Sequence, residues 1–179
     1  DSYFHQFASA DSMPGLRVLR PVRPPSRELP RTLLNEWGLA LHLESRREGV
    51  SRQMLVDFGF SAAALNNNLE LLGVDPSQLD AMLLTHGHYD HFGGMVGFLQ
   101  QHAGQLKKDL PFYLGGEECF CTRETGPANA PSNFGSLDRH AIAKAGVQVV
   151  FAEKASVVAD HAFTSGYIPL VSFEKPMQP

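Results

Sequence analysis

The sequence predicts an α/β fold, a mixed sheet with helices packed on it. Short apolar runs of strand character alternate with helical patterns that carry capping residues at their ends. Charged turn residues between two of the runs add a hairpin to the alternation, so the sheet is mixed. Of 179 residues, 43% are hydrophobic and 19% charged, which suits one domain with a real core, or part of a larger one.

Taken in order, residues 1–35 read as an extended arm and irregular loop. Pro21, Pro24, Pro25 and Pro30 forbid a helix and weaken a strand there. The main domain is read over 36–179. Leu39, Leu41 and Leu43 alternate with Ala40, His42 and Glu44, which predicts a strand with its leucine face buried. Glu44 to Gly49 reads as the hairpin turn, and Met54 to Val56 as the returning strand. Ser61 is a good N-cap for a helix over 62–72, with Leu65, Leu69 and Leu72 as its apolar stripe and Gly73 as its stop. Asp75-Pro76 opens one short helical turn.

Ala81 to Leu84 is a short apolar run and predicts a buried strand. A helix is expected over 95–102 after Gly93-Gly94, and a strand over 111–114. Residues 126–135 are rich in Pro, Asn and Gly and read as a loop. A helix follows over 137–145, with Ser136 as cap and Gly146 as stop. Strands are expected over 147–151 and 157–164. Trp37 reads as packing, and His5, His42, His102 and His140 as surface residues.

A net charge of −4 gives no basic surface for nucleic acid or an anionic membrane. No apolar run approaches the ~20 residues that span a bilayer. Cys119 and Cys121 are spaced C-x-C, unlike the C-x-x-C of redox motifs and zinc ribbons, and read as free thiols. With no disulfide framework the expected compartment is the cytoplasm, with the periplasm as the alternative. The chain starts at Asp1 without a methionine, and the expectation drawn from this is that an upstream segment is missing.

Residues 85–94 read Thr-His-Gly-His-Tyr-Asp-His-Phe-Gly-Gly. His86, His88, Asp90 and His91 fall within six positions. Imidazole nitrogen and carboxylate oxygen are ligands for zinc and similar divalent ions. Four such groups would be costly to bury without partners, and a metal ion supplies partners for all of them. The pattern above puts them on a loop between a buried strand and a helix, where α/β proteins hold ligands. Gly87 is small enough to let His86 and His88 face one ion. Asp90 and His91 are adjacent and point elsewhere, so the loop offers two ligand pairs to two metals. Tyr89, inside the motif, is a candidate either for substrate contact or for packing.

The motif resembles the H-x-H-x-D-H signature of the metallo-β-lactamase superfamily. Asp57-Phe58-Gly59 resembles the D-x-G that precedes that signature, though the family usually has threonine where this chain has Phe58. The runs 66–75, 79–81 and 84–94, with Ser165-Gly-Tyr-Ile-Pro169 and then Phe173-Glu174, are similar to the dihydropterin-phosphate-synthase-like branch. The resemblance covers roughly residues 36–175. It implies half of an αββα sandwich, the amino-terminal half. It also implies two divalent metal ions, zinc first and manganese or iron as alternatives. Residues matching His86 and His88 would bind one ion, and those matching Asp90 and His91 the other. Asp57 would orient the ligand loop by hydrogen bonding. A hydroxide bridging the two ions would attack the substrate, and Asp90 would orient that water as a catalytic residue.

Catalytic zinc sites usually have three protein ligands per metal, and this loop offers two. The family places the others further along the chain. The remaining ligands are therefore expected from a second half of the same protein or from a complementing chain, with His161 as a weak local candidate. The expected function is a metal-dependent hydrolase acting on a small ester-type molecule such as a phosphoester or lactone. The alternatives are a di-iron redox protein with a flavin partner, and a non-catalytic metal-binding half.

Overall fold

The computed structural model describes residues 31–169 together with Val171 and Phe173. The proline-rich part of the arm, Pro21 to Pro30, lies outside the described residues, as does His5. The first elements form a hairpin, β1 (Leu41–Arg47) and β2 (Val50–Val56). Its turn is only Glu48-Gly49, both at positive φ (52° and 80°), the backbone twist that matches two antiparallel strands. Glu44 to Arg47, expected in the turn, instead belong to β1. They can do so because two residues suffice to reverse the chain.

Helix α1 (Ala62–Leu72) begins where expected. The Ser61 hydroxyl accepts from the Ala64 N–H, and Gly73 ends the helix in the left-handed region at φ 69°. Its apolar stripe differs by one position. Leu65, Leu69 and Leu71 are buried, while Leu72 is exposed. A 3₁₀ turn, Pro76–Gln78, follows under the cap of Asp75. Strand β3 (Ala81–Leu83) leads to a helical turn α2 (Tyr89–Phe92) and then helix α3 (Met95–His102). After β4 (Pro111–Leu114) comes a 3₁₀ turn, Glu117–Phe120, which holds buried Cys119. Both thiols are free, and Cys121 is exposed.

The segment expected to be a loop over 126–135 holds a strand. β5 (Arg123–Thr125) pairs with β6 (Ser132–Gly135) as a small hairpin. Helix α4 (Arg139–Lys144) is capped by Asp138, whose carboxylate accepts from the Ala141 N–H. Ser136 sits two residues too early for that bond. After β7 (Gln148–Phe151), the single strand expected over 157–164 is a hairpin, β8 (Lys154–Val158) and β9 (Ala162–Gly166). Ala159 and Asp160, both at positive φ, turn the chain between them.

The main sheet runs β1-β2-β3-β4-β7. β1 is antiparallel at the edge and the other four are parallel. This is the mixed α/β architecture the sequence predicts. Leu55, Met82, Phe112 and Val149 share one register row. They join the core beneath the helices, where Phe58 packs on Phe98 and Phe112 with ring centroids 5.9 and 5.8 Å apart. Met54 and Ala81 face the other way and are covered by Val158 of β8.

Leu41 and Leu43 pair with Val56 and Met54, so they lie on this second face. Each is 44% exposed, and Leu39 is exposed as well. The expected burial of the leucine face does not occur among the described residues, because the helices cover the opposite side. His42, on the helix side, is half-buried and bonded to Gln53. His140 is exposed as expected. His102 departs from the surface reading, since both of its ring nitrogens are buried.

Candidate metal centre

Three segments meet at the carboxyl ends of the parallel strands β2, β3 and β4, the usual crevice for ligands in an α/β sheet. They are residues 57–60, 85–91 and 115–123. The first supplies Asp57, which is buried and sits at φ 60°, a conformation that aspartate tolerates better than most residues. Its Oδ1 accepts the Thr85 backbone N–H at 2.8 Å. Its Oδ2 accepts the Thr85 hydroxyl at 2.8 Å and stands 2.7 Å from His91 Nδ1. A carboxylate only accepts, so His91 donates through Nδ1, and in the neutral ring Nε2 keeps a free lone pair. That nitrogen is 3.8 Å from Asp90 Oδ2. Asp90 and His91 thus present an imidazole nitrogen and a carboxylate side by side.

Asp90 and His91 are on α2 rather than on a loop, a correction to the sequence reading. Four residues carry too little periodicity to show as a helix. Backbone bonds seat this turn tightly. Phe58 N–H donates to His91 O at 2.6 Å, and Leu39 N–H to Asp90 O at 3.1 Å. A Cβ on Gly94 would lie 2.2 Å from Phe58 O, and one on Gly38 would lie 2.8 Å from Asp90 O. Only glycine allows such approach.

His86 and His88 remain on the loop and are exposed. The His86 ring centroid is 4.4 Å from that of His88 and 4.1 Å from that of His91. His86 Nδ1 is 3.0 Å from the Thr85 hydroxyl oxygen. That hydroxyl donates to Asp57, so it accepts from His86 Nδ1–H and leaves His86 Nε2 free. Loss of water around the His86 ring lowers its pKa, with smaller contributions from His91 and His88. A neutral ring is the form that can ligate a metal.

The structure brings His86, His88, Asp90 and His91 together, and Asp57 beneath them. The donor types suit a divalent metal, and two histidines are held in the tautomer that offers Nε2. Among the described residues no group of three or more His, Cys, Asp or Glu is arranged to hold one ion. The local candidate for a further ligand, His161, is elsewhere. Its Nδ1 lies 3.3 Å from Ser45 O, and its neighbour Asp160 pairs with Arg52. Ser45 pairs with Arg52, four residues up β2 from Val56, about 13 Å of strand from the crevice. Tyr89 packs among Phe60, Phe92 and Phe134, with ring centroids 4.9, 5.5 and 6.2 Å away, so packing accounts for it. Trp37, expected to pack, is 84% exposed.

One residue at the site was invisible to sequence reasoning. Arg123 Nε donates to the Gly87 carbonyl at 2.9 Å, and its Nη2 to the Glu118 carbonyl at 3.3 Å. No local pattern links positions 36 residues apart.

Imidazole and carboxylate groups thus gather at the carboxyl edge of the mixed sheet. Residues 48–105 match the model of the metallo-β-lactamase superfamily. It is 28% identical over 79 residues to 7,8-dihydropterin-6-methyl-4-(β-D-ribofuranosyl)-aminobenzene-5′-phosphate synthase of Methanocaldococcus jannaschii. That stretch is 44% of this chain and 26% of the relative, so the chain spans about a quarter of the curated protein it matches. A solved structure of a B3 metallo-β-lactamase with an active-site glutamic acid aligns with a TM-score of 0.39 and 17% identity. The alignment covers 60% of this chain and 38% of that one. No helix among the described residues is long and apolar enough to cross a membrane.

Proposed function

We propose that this chain supplies half of the ligand set of a metal-dependent hydrolase. His86 and His88 would hold one divalent ion, and Asp90 and His91 a second. One observation carries the reading. Asp57 holds His91 Nδ1 at 2.7 Å, which turns its free Nε2 toward the side where Asp90 lies. Buried carboxylates that grip the far nitrogen of a histidine are how proteins orient metal ligands. The match of residues 48–105 to the superfamily model and the mixed donor set support the same assignment. Imidazole with carboxylate favours zinc, with manganese and iron as alternatives.

When bound, two such ions would supply a water that ionises near neutral pH and a clamp for developing negative charge. Asp90, half-buried at the rim, would hold and orient that water. Asp57 and Thr85 would keep His91 and His86 in their ligating tautomers. The third ligand of each ion would come from beyond the described residues, in a second half of the same protein or a complementing chain. The substrate class is a small ester-type molecule, a phosphoester, lactone or related compound, whose reaction builds charge on one oxygen.

The test is hydrolysis of bis-p-nitrophenyl phosphate and of a simple lactone by the full-length protein, stripped with chelator and reloaded with zinc or manganese. His86→Ala and Asp90→Ala should each lower kcat/KM by about 100-fold or more, the scale on which electrostatic stabilisation of an oxyanion acts. Activity unchanged in both variants would sink the proposal. Elemental analysis separates this from the di-iron alternative, which requires iron and a flavin partner. A second reading draws on the relative's name, that of a synthase. On it, the same donors would serve a bond-forming transfer, and product analysis would show a joined rather than a cleaved molecule.

A further inference from the structure

The peptide between His86 and His88 is the weak point of the candidate centre. Gly87 joins them, and glycine has more backbone freedom than any other residue. Two rings separated by one residue face one ion only if that peptide is held. Asp57 and Thr85 fix the protonation of His91 and His86 but do not touch Gly87. The third loop does. Gly87 is buried although His86 and His88 on either side are exposed. A Cβ there would lie 3.1 Å from both Cys119 Cα and Arg123 Nη2, so the backbone lies flat on the 3₁₀ turn. Arg123 binds the Gly87 carbonyl through Nε and the Glu118 carbonyl through Nη2.

The turn is itself fastened to α4. Arg139 pairs with Glu117, and its guanidinium sits 3.5 Å from the centroid of the Phe120 ring. Arg123 opens β5 and pairs with Gly135 of β6, so both ends of the clamp rest on ordered elements. A planar guanidinium presents donors in a fixed fork, which one ammonium cannot reproduce.

We propose that Arg123 is a positioning residue, whose guanidinium fork ties the Gly87 and Glu118 carbonyls together and so aims His86 and His88 at one metal ion. This rests on the metal reading given above. Charge alone would act in the opposite direction, because a fixed cation near a metal site repels the metal. Removing Arg123 should therefore tighten metal binding if only its charge matters, and weaken it if its geometry matters.

The test is titration of the full-length, chelator-stripped protein with Co²⁺ alone, followed by visible absorption, with thermal unfolding of the metal-free protein alongside. Arg123→Ala should bind Co²⁺ about 10- to 100-fold more weakly, the usual cost of losing a group that orients ligands, with altered visible bands. Tighter binding, or weakening below about threefold, overturns the proposal. Should Arg123→Ala show no cooperative unfolding, Arg123→Lys decides. It keeps the charge and loses the fork, so weaker binding and altered bands are expected, and wild-type affinity with a wild-type spectrum overturns the proposal. His86→Ala tests the foundation separately. If it binds Co²⁺ as tightly as wild type, the metal reading itself is wrong and the role of Arg123 falls with it.

Discussion

The two proposed ligand pairs are built differently. Asp90 and His91 stand on a helical turn whose backbone is bonded to Phe58 and Leu39, over a buried carboxylate that grips His91. His86 and His88 stand on exposed loop, propped by a hydroxyl on one side and by an arginine from a distant hairpin on the other. The first pair is arranged by the core of the domain itself. The second depends on the contact between two surface loops. The difference teaches that one short motif can combine a half fastened to the core with a half fastened by surface contacts.

Removing Asp57 should have the largest effect on this contrast. Asp57→Ala leaves the Thr85 N–H, the Thr85 hydroxyl and the His91 N–H without their acceptor. A loss of about 3 kcal/mol is expected in denaturant unfolding of the metal-free protein. Asp57→Asn keeps the tolerance for positive φ and one acceptor oxygen, and should lose less. If Asp57→Ala loses under about 1 kcal/mol, the anchored half is not anchored by this residue.

Glycine substitutions probe both halves with the same atom. A Cβ on Gly94 meets the Phe58 carbonyl at 2.2 Å, and the backbone must shift. A Cβ on Gly87 meets its neighbours only at 3.1 Å, and one of these is the end of a side chain. Gly94→Ala should cost about 2–3 kcal/mol, the range of core overpacking, and Gly87→Ala about 1 kcal/mol. Equal losses in thermal unfolding would show that the two halves are equally rigid.

Thr85 links the halves, since its hydroxyl donates to Asp57 and accepts from His86. Thr85→Val keeps the shape and deletes the bonds, at an expected cost of about 1 kcal/mol. NMR of the imidazole nitrogens should then show His86 losing its Nδ1–H tautomer preference, while His91 keeps its own. A change at His91 as large as that at His86 would contradict the division.

The smallest effect is one of pH. Burial lowers the pKa of His102, against a weaker pull from Gln105, although neither ring nitrogen makes a well-formed hydrogen bond. A histidine whose pKa is depressed by folding binds fewer protons in the native state than in the unfolded one. Stability should therefore fall as pH drops below the unfolded value of about 6.5, and level off once the native ring is protonated. His86 shifts in the same direction. In chelator-treated protein, His102→Leu should flatten only part of the fall in Tm between pH 7.5 and 5, because His86 contributes in the same direction. No change in slope would place the whole effect elsewhere.

Much of the fold was readable because its signals are local. Ser61 and Asp75 cap the turns that follow them, and Gly73 stops α1, as side-chain and backbone chemistry requires within a few residues. The density of His86, His88, Asp90 and His91 marked the site without any knowledge of the fold. Other features were readable only in part. Alternation along Leu39 to Leu43 identifies a strand, but which face is covered depends on where the helices pack. Asp138 took the capping role expected of Ser136 because hydrogen-bond reach, not residue type, separates two candidates two positions apart.

The sequence by itself determined the class of fold, the order of its main elements and the four donor groups, since periodicity, capping and residue chemistry act over short stretches of chain. Only the tertiary structure decided that Asp57 holds His91, that Arg123 holds Gly87 and that His161 stands about 13 Å of strand away. These relations join positions 34, 36 and more than 100 residues apart. They are set by how the main sheet and the two small hairpins pack together, which no local pattern in the chain encodes.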